Sequence, residues 1–368
     1  MIKKFCIAVT IALGSQNVAC MESNNRWNGM LKHDDRRGLL ALIEKDRETA
    51  ILAGEAKVSQ SKLWIGALAV DAYKNQAATS NLMQNTVAIW SIPTLQKQSF
   101  SLETDFGLWI KFYNEGSHLA AVGVTNPAIL SYDIKSEKLV SRLEVGKNSL
   151  ARLATTNASS LVASTDTEQK IYLCDLAQQK VATTFSMPPN SYSLALAISN
   201  DERFIADAPQ QEDYIYVWDT QQPSQPFSRI ESNPDHFMYS LAFNHDHSLL
   251  AGGGEDHDGS GKTTYPVRVW DVNTGNILHT FNDATKYIMQ VKFSDDGRYL
   301  IGGSQDNKVR VYDMKNNEKV TEINFPVTPY VEFNTTTHEA VSLENDELKV
   351  ATFFGKNIDD EGPDCYLS

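Results

Sequence analysis

The chain has 368 residues, of which 42% are hydrophobic, and it carries a formal net charge of −13 at pH 7. That apolar content is enough to build a large core, and lysine and arginine are nowhere gathered into a stripe. Because nucleic acids and anionic membranes attract cationic proteins, we expect no nucleic-acid partner and no membrane contact through the folded part.

Residues 1–20 resemble a signal peptide. Two lysines precede an apolar run at 5–14, which is too short to span a bilayer but has the length of a signal core. Ala19 and Cys20 suit a lipoprotein signal that would place a lipid on Cys20, although Asn17 stands where such signals usually carry leucine. Ordinary cleavage near residues 19–21 is the plainer alternative. We predict an exported protein, and the alternative is a cytoplasmic one with an uncleaved N-terminus.

Residues 21–57 allow two interpretations. Helix formers fill 36–57 and Gly54 could end a helix there, but the same stretch also resembles a hairpin that would add a partial eighth blade. We prefer seven blades, because residues 64–67 leave no room for a further strand before the first repeat.

From about residue 60 the chain repeats one pattern. Residues 291–314 contain a short alternating strand, a polar turn, a second apolar strand, another turn and a third strand. The same order recurs in six other segments, which are 67–92, 110–134, 150–176, 196–220, 241–272 and 331–353. A further short alternating segment, such as 277–281, precedes the next unit. We therefore predict that each unit forms four strands.

The third strand of each unit carries an aligned anchor residue. The anchors are Trp90, Tyr132, Cys174, Trp218, Trp270, Tyr312 and Ala351, separated by 42, 42, 44, 52, 42 and 39 residues. Four strands in about 40 to 45 residues is the period of a β-propeller. We predict an all-β fold, a single seven-bladed propeller over 58–354, with a flexible tail at 355–368. A strand from about residues 50–60 would complete the last blade and close the ring.

The repeats resemble those of the WD-repeat family. Trp218-Asp219 and Trp270-Asp271 carry the dipeptide, Tyr312-Asp313 keeps its aspartate, and Asp306 matches the tight-turn aspartate. The family's Gly-His dipeptide is absent from every unit. The resemblance implies a non-enzymatic scaffold that holds a partner protein on one propeller face, and we expect a monomeric propeller without a cofactor.

An aromatic pattern recurs six residues before the apolar residue that ends each first strand. The positions are Trp64, Phe106, Lys147, Tyr192, Phe237, Tyr287 and Val327. Five of the seven are aromatic in a chain that is 10% aromatic, so fewer than one was expected by chance. We predict that the first six ring one face and contact the partner. Packing between blades is the alternative, because period two places them on the apolar strand face.

Other motifs are weaker. His236, His245, His247 and His257 fall in one repeat, but its loops should direct them to opposite faces, so we predict no metal site. Residues 255–266 contain GSGKTT without the strand-to-helix context of a phosphate loop, and their acidic part is expected to be a flexible loop.

Catalytic motifs are missing, and we predict no enzyme. The alternative is a propeller enzyme of the lactonase or quinoprotein kind with its site in the central channel. A Cys174–Cys365 disulfide is conceivable in an oxidising compartment, but we favour a buried Cys174 and a mobile Cys365.

Overall fold

The computed structural model describes residues 65–81, 85–102, 107–123, 127–156, 158–188, 191–210, 212–232, 236–257, 260–326, 331–344 and 347–353. Every regular element in these ranges is a β-strand. Accordingly, this part of the chain holds no helix that is long and apolar enough to cross a membrane.

The described ranges contain 28 strands. In chain order they are β1 (Ile65–Asp71), β2 (Gln76–Asn81), β3 (Thr86–Ser91), β4 (Lys97–Ser101), β5 (Gly107–Tyr113), β6 (His118–Gly123), β7 (Ala128–Asp133), β8 (Lys138–Glu144), β9 (Leu150–Thr155), β10 (Leu161–Asp166), β11 (Lys170–Asp175), β12 (Lys180–Ser186), β13 (Tyr192–Ile198), β14 (Phe204–Gln210), β15 (Tyr214–Asp219), β16 (Ser228–Glu231), β17 (His236–Phe243), β18 (Leu249–His257), β19 (Thr263–Thr264), β20 (Val267–Asp271), β21 (Ile277–Phe281), β22 (Ile288–Phe293), β23 (Tyr299–Ser304), β24 (Lys308–Asp313), β25 (Glu318–Asn324), β26 (Val331–Asn334), β27 (Glu339–Glu344) and β28 (Glu347–Thr352).

These strands form seven antiparallel sheets, each of consecutive strands in chain order. Six sheets have a four-strand path, the fifth adds β19 beside β18, and the seventh has three strands within the described residues. The first strand of each sheet contacts the first strand of the next, so the sheets form a ring. The fold is a seven-bladed β-propeller, as the sequence predicted. The segments 1–20, 21–57 and 355–368, and the closing strand expected near residues 50–60, lie outside the described residues.

Each third-strand anchor packs against the preceding blade. The ring of Tyr132 lies 5.7 Å from that of Phe100 on β4, and Trp218 lies 6.0 Å from Phe185 on β12. A sheet whose two faces are both apolar cannot bury them alone, so every blade depends on its neighbours.

The ring closes through blade seven and blade one. Leu343 and Leu348 of the last blade pack in one buried cluster with Leu68 and Trp90 of the first. A hydrogen bond reinforces the contact, since Asn334 Nδ2 donates to Asn75 Oδ1 at 2.9 Å. The described residues therefore already join the two ends of the ring without the strand expected near residues 50–60.

The aspartate that follows the anchor holds a turn. Asp219 Oδ1 accepts a bond from the backbone N–H of Gln221 at 2.8 Å, and Asp271 Oδ1 accepts one from that of Thr274 at 2.7 Å. The amide and hydroxyl of Thr274 lower the pKa of Asp271 because they bond to its charged form. The dipeptide thus serves the turn between the third and fourth strands.

Two anchor tryptophans differ in their hydrogen bonding. Trp90 Nε1 donates to Thr79 Oγ1 at 3.0 Å, whereas buried Trp270 Nε1 has no partner among the described residues. Thr79 and Gly252 occupy the same place on the second strand, opposite the residue two before the anchor. Trp270 lacks a partner because glycine stands where blade one has threonine.

This difference in hydrogen bonding predicts that a Trp→Phe substitution destabilises the protein more at position 90 than at position 270. Trp90→Phe leaves Thr79 without its donor, whereas Trp270→Phe removes an unpaired buried N–H. We expect Trp90→Phe to lower the free energy of unfolding by about 1–3 kcal/mol more than Trp270→Phe, measured by denaturant titration. In a Thr79→Ala background the cost of Trp90→Phe should shrink. An equal or reversed order of the two single variants would contradict this account.

Candidate functional site

One face of the propeller carries the loops that enter the first strands together with the loops between second and third strands. In blade six the Gln305 N–H donates to the Tyr287 carbonyl at 2.9 Å, and the Thr285 N–H donates to Asp306 Oδ2 at 3.0 Å. We call this the upper face. The turns between first and second strands lie on the opposite, lower face.

The predicted rim residues differ in their surroundings on the upper face. Tyr192 and Tyr287 are 42% and 38% exposed, and Lys147 is also exposed. Phe237 is buried and its ring meets that of His257 at 5.7 Å. Trp64 and Phe106, like Val327, lie outside the described residues. Exposure and packing therefore both occur among these positions, and partner contact by them remains a prediction.

Tyr287 is the centre of an aromatic group that the repeat pattern did not reveal. The ring of Tyr239, on β17, lies 6.0 Å from that of Tyr287 at an interplanar angle of 85°. The ring of Tyr265, between β19 and β20, lies 5.6 Å away on a perpendicular plane. We call these three residues the tyrosine cluster. Tyr239 follows Phe237 by two residues, a spacing that could have indicated it, whereas nothing in the insertion indicated Tyr265.

A buried carboxylate lies beneath the tyrosine cluster. Glu255 is 3% exposed, and its Oε1 accepts a hydrogen bond from the Tyr239 hydroxyl at 2.7 Å. His257 Nε2 lies 3.6 Å from its other carboxylate oxygen. Burial and then the charge of Glu255 raise the pKa of Tyr239, Tyr265 and Tyr287. All three phenols therefore stay neutral near pH 7.

The insertion at 255–266 is more regular than expected. Instead of a flexible loop, β18 runs on to His257 and β19 pairs back onto it, with Asp256 opposite Thr264. Arg268 forms a two-pronged ion pair with Asp256, one arm measuring 3.1 Å. Residues 258–259, at the tip, lie outside the described residues. The insertion is thus an ordered extension that sets Tyr265 beside Tyr287.

Two histidines of blade five, His247 and His257, lie on opposite faces. His247 lies on the lower face, where its ring meets that of Phe204 at 5.3 Å, whereas His257 belongs to the upper face. Within the described ranges, no three or more His, Cys, Asp or Glu side chains are grouped closely enough to hold a metal ion.

Comparison with known proteins agrees with the repeat pattern. The family model for the WD domain, G-beta repeat (WD40) matches residues 275–313. WD repeat-containing protein SL1-17 of Schistosoma mansoni is 23% identical over 63% of this chain and 73% of its own length. Residues 275–313 therefore match a WD40 repeat, and the chain as a whole is similar to WD-repeat proteins and folds as a seven-bladed β-propeller.

Other relatives match shorter parts of the chain. Subunit I of eukaryotic translation initiation factor 3 from Phaeosphaeria nodorum is 29% identical, over 30% of this chain and 29% of its own length. A chain of the mitotic checkpoint complex crystal structure has a TM-score of 0.64 at 17% identity, over 77% of this chain and 85% of that one. The last likeness concerns the fold alone.

Charged side chains on the inner strands of the propeller take part in bonds between blades. Lys111 Nζ lies 2.5 Å from Glu332 Oε1, and Gln290 Nε2 donates to Glu332 Oε2 at 3.1 Å. Lys292 Nζ donates to the carbonyl of Phe333 at 2.9 Å, and burial lowers the pKa of Lys292. These bonds connect blades two, six and seven around the axis, so these side chains stabilise the fold.

Asp207, on β14, is a fully buried carboxylate. It is 0% exposed, Ser193 donates a hydrogen bond to its Oδ1, and its Oδ2 has no hydrogen-bond partner among the described residues. Burial raises the pKa of Asp207 to about 7, against the opposing effects of Ser193 and of the Arg152 charge. The thiol of Cys174 is likewise buried and free, and burial raises its pKa to about 12; Cys365 lies outside the described residues.

Asp207 should make stability depend on pH. Because its pKa is raised on folding, the folded state holds a proton that the unfolded chain has lost above about pH 4. Its contribution to stability is full below that pH and is lost as the pH rises to about 7. We expect Asp207→Asn to raise the melting temperature relative to wild type by a few degrees more at pH 8 than at pH 5. The same difference at both values would contradict the assignment.

Proposed function

We propose that this propeller is a non-enzymatic scaffold that holds a partner protein on its upper face, with the tyrosine cluster at the centre of the contact. The observation that carries the proposal is the placement of half-exposed Tyr287 between Tyr239 and Tyr265. Tyrosine is enriched at protein interfaces because it offers a large contact area at a small cost in side-chain entropy.

The surroundings of Tyr287 favour this part of the face over the rest of the rim. The ion pair of Arg268 with Asp256 and the pairing of β18 with β19 fix the insertion before any partner arrives. A preformed surface loses less conformational entropy on binding than a mobile one. Tyr192, although equally exposed, has no such insertion beside it.

A non-catalytic role is consistent with the inner strands and with the relatives. The charged groups near the axis already bond to one another, as Lys111 does with Glu332. A relative named as a subunit of a translation initiation factor supports a role in protein assembly, although it matches only 30% of this chain.

The test compares exposed tyrosines on opposite faces. Tyr73, in the turn between β1 and β2 on the lower face, is 59% exposed and serves as the matched control. With equal amounts of each variant as bait in an extract of the native envelope, we expect Tyr287→Ala to recover at least about tenfold less partner. Tyr73→Ala should recover the wild-type amount, and the opposite result would place the contact on the lower face.

We also propose that the scaffold acts after export, in the envelope or outside the cell. The support is the sequence of residues 1–20, with its positive head, short apolar core and Cys20. The intact mass of the protein from its native host should correspond to a chain that begins near residue 20. An additional acyl mass on Cys20 would indicate a lipoprotein, and the mass of the full 368-residue chain would contradict export.

A further inference from the structure

The tyrosine cluster and Glu255 also indicate what kind of partner the upper face fits. Resting on the function proposed above, we propose that these four residues bind an arginine side chain of the partner protein. Tyr265 and Tyr287 would offer their rings to the guanidinium, and Glu255 would supply the opposite charge.

The ring of Tyr287 forms a corner with each of its neighbours. It is nearly perpendicular to Tyr239 and to Tyr265, with centroids 6.0 and 5.6 Å away, so it stacks face to face on neither. Aromatic faces attract a cation that lies within about 6 Å of the ring centre. A planar guanidinium suits such a corner because it can stack on one ring while its N–H groups point past the ring edge.

The carboxylate makes the corner specific for positive charge. Its side chain is only 4% exposed, and in such a place water screens a charge weakly. Burial and, after it, the charge of Glu255 raise the pKa of each of the three phenols, and the Tyr239 hydroxyl donates directly to the carboxylate at 2.7 Å. An acidic partner residue would be repelled here, and the net charge of −13 attracts cationic segments over a longer range.

The propeller uses the same chemistry twice within itself. Arg203 Cζ lies 5.0 Å from the ring centre of Phe204, and its Nη2 lies 3.0 Å from Asp219 Oδ2. On blade six, Arg298 Cζ lies 4.9 Å from the Tyr299 ring, and its Nη2 lies 3.5 Å from an Asp313 oxygen. An aromatic ring beside a carboxylate therefore accommodates a guanidinium in this fold. On the upper face, Tyr265, Tyr287 and Glu255 bring the same groups together.

Lysine fits the corner less well. Its ammonium is a compact and strongly hydrated charge, whereas the guanidinium is weakly hydrated and can stack and pair at once. The expected preference is therefore arginine over lysine, and either over a neutral residue.

The first experiment tests which side chain the site prefers, and it can be done before a natural partner is identified. The purified protein is used to select binders from a displayed library of random twelve-residue peptides in a buffer of physiological salt. The best binder is then synthesised with each arginine replaced in turn by citrulline, which keeps the shape and removes the charge. We expect one arginine at which this change weakens binding at least about tenfold.

The protein variants locate the site. Tyr287→Ala and Glu255→Gln should each weaken the peptide by a similar factor, whereas Tyr287→Phe should retain most of the binding because it keeps the ring. Tyr73→Ala, on the lower face and 59% exposed, is the control and should bind like wild type. Melting temperatures of all variants identify any that fail to fold, and the comparison of Tyr287→Phe with Tyr73→Ala stays valid if Glu255→Gln does not fold.

The outcomes separate this inference from the scaffold proposal. Peptides that lack arginine but depend on Tyr287 would overturn arginine recognition and leave the scaffold proposal standing. Arginine peptides that bind equally to wild type, Tyr287→Ala and Glu255→Gln would indicate general attraction to an acidic protein and would also overturn it. If native partners, too, are retained by Tyr287→Ala, the scaffold contact proposed at this cluster falls as well.

Discussion

The structure depends on the contact between each third-strand anchor and the blade before it. Phe281 and Tyr312 make the closest such ring contact, with centroids 4.1 Å apart in a stacked arrangement. Since one blade buries its face only against the next, the repeat tolerates a change of anchor as long as an apolar side chain fills the gap. Cys174, 0% exposed in the place of an aromatic residue, is an example. A function added to such a ring has to leave these contacts in place, and the loops of the upper face do so.

The insertion of blade five satisfies that condition. It leaves Trp270 fully buried and extends only the strand ends, so Tyr265 reaches Tyr287 of the next blade without disturbing the packing between them. The contact joins neighbouring blades at the rim, and the ion pair of Arg268 with Asp256 holds its base. The surface is therefore built by two blades that the core already holds in register.

The sequence predicted the parts of this structure that repeat and missed the parts that do not. The seven anchors and their spacing were sufficient for the fold, because the same packing problem recurs in every blade. The rim pattern named Tyr287 but could not distinguish it from Phe237, which turned out to be buried, since both occupy one repeat position and only their neighbours differ. Glu255 stands opposite Phe237 as Gln210 stands opposite Tyr192, so the repeat marked its position but gave no reason to expect a buried carboxylate there. Tyr265 belongs to the insertion, so no alignment of the repeats could reveal it. The proximity of Tyr265 and Glu255 arises from the pairing of β19 with β18.

The second-strand position that Thr79 occupies in blade one varies among the blades, with Ala121 in blade two, Ser164 in blade three and Gly302 in blade six. On the second strand, the place of Thr79 is taken by buried Asp207 in blade four and by Gly252 in blade five, where it leaves Trp270 without a hydrogen-bond partner among the described residues. Both features cost stability, because a buried carboxylate and an unpaired N–H lose their hydration. Local rules are most often broken where function competes with stability. The tyrosine cluster lies at the junction of blade five with blade six, and the unpaired N–H of Trp270 belongs to blade five. Gly252 also has a packing reason, since a Cβ there would come within 2.4 Å of the Met238 sulfur, at the start of the strand that carries Tyr239. Gly252 thus cannot accept a hydrogen bond from Trp270, but its missing side chain leaves space for Met238 on the strand that carries Tyr239.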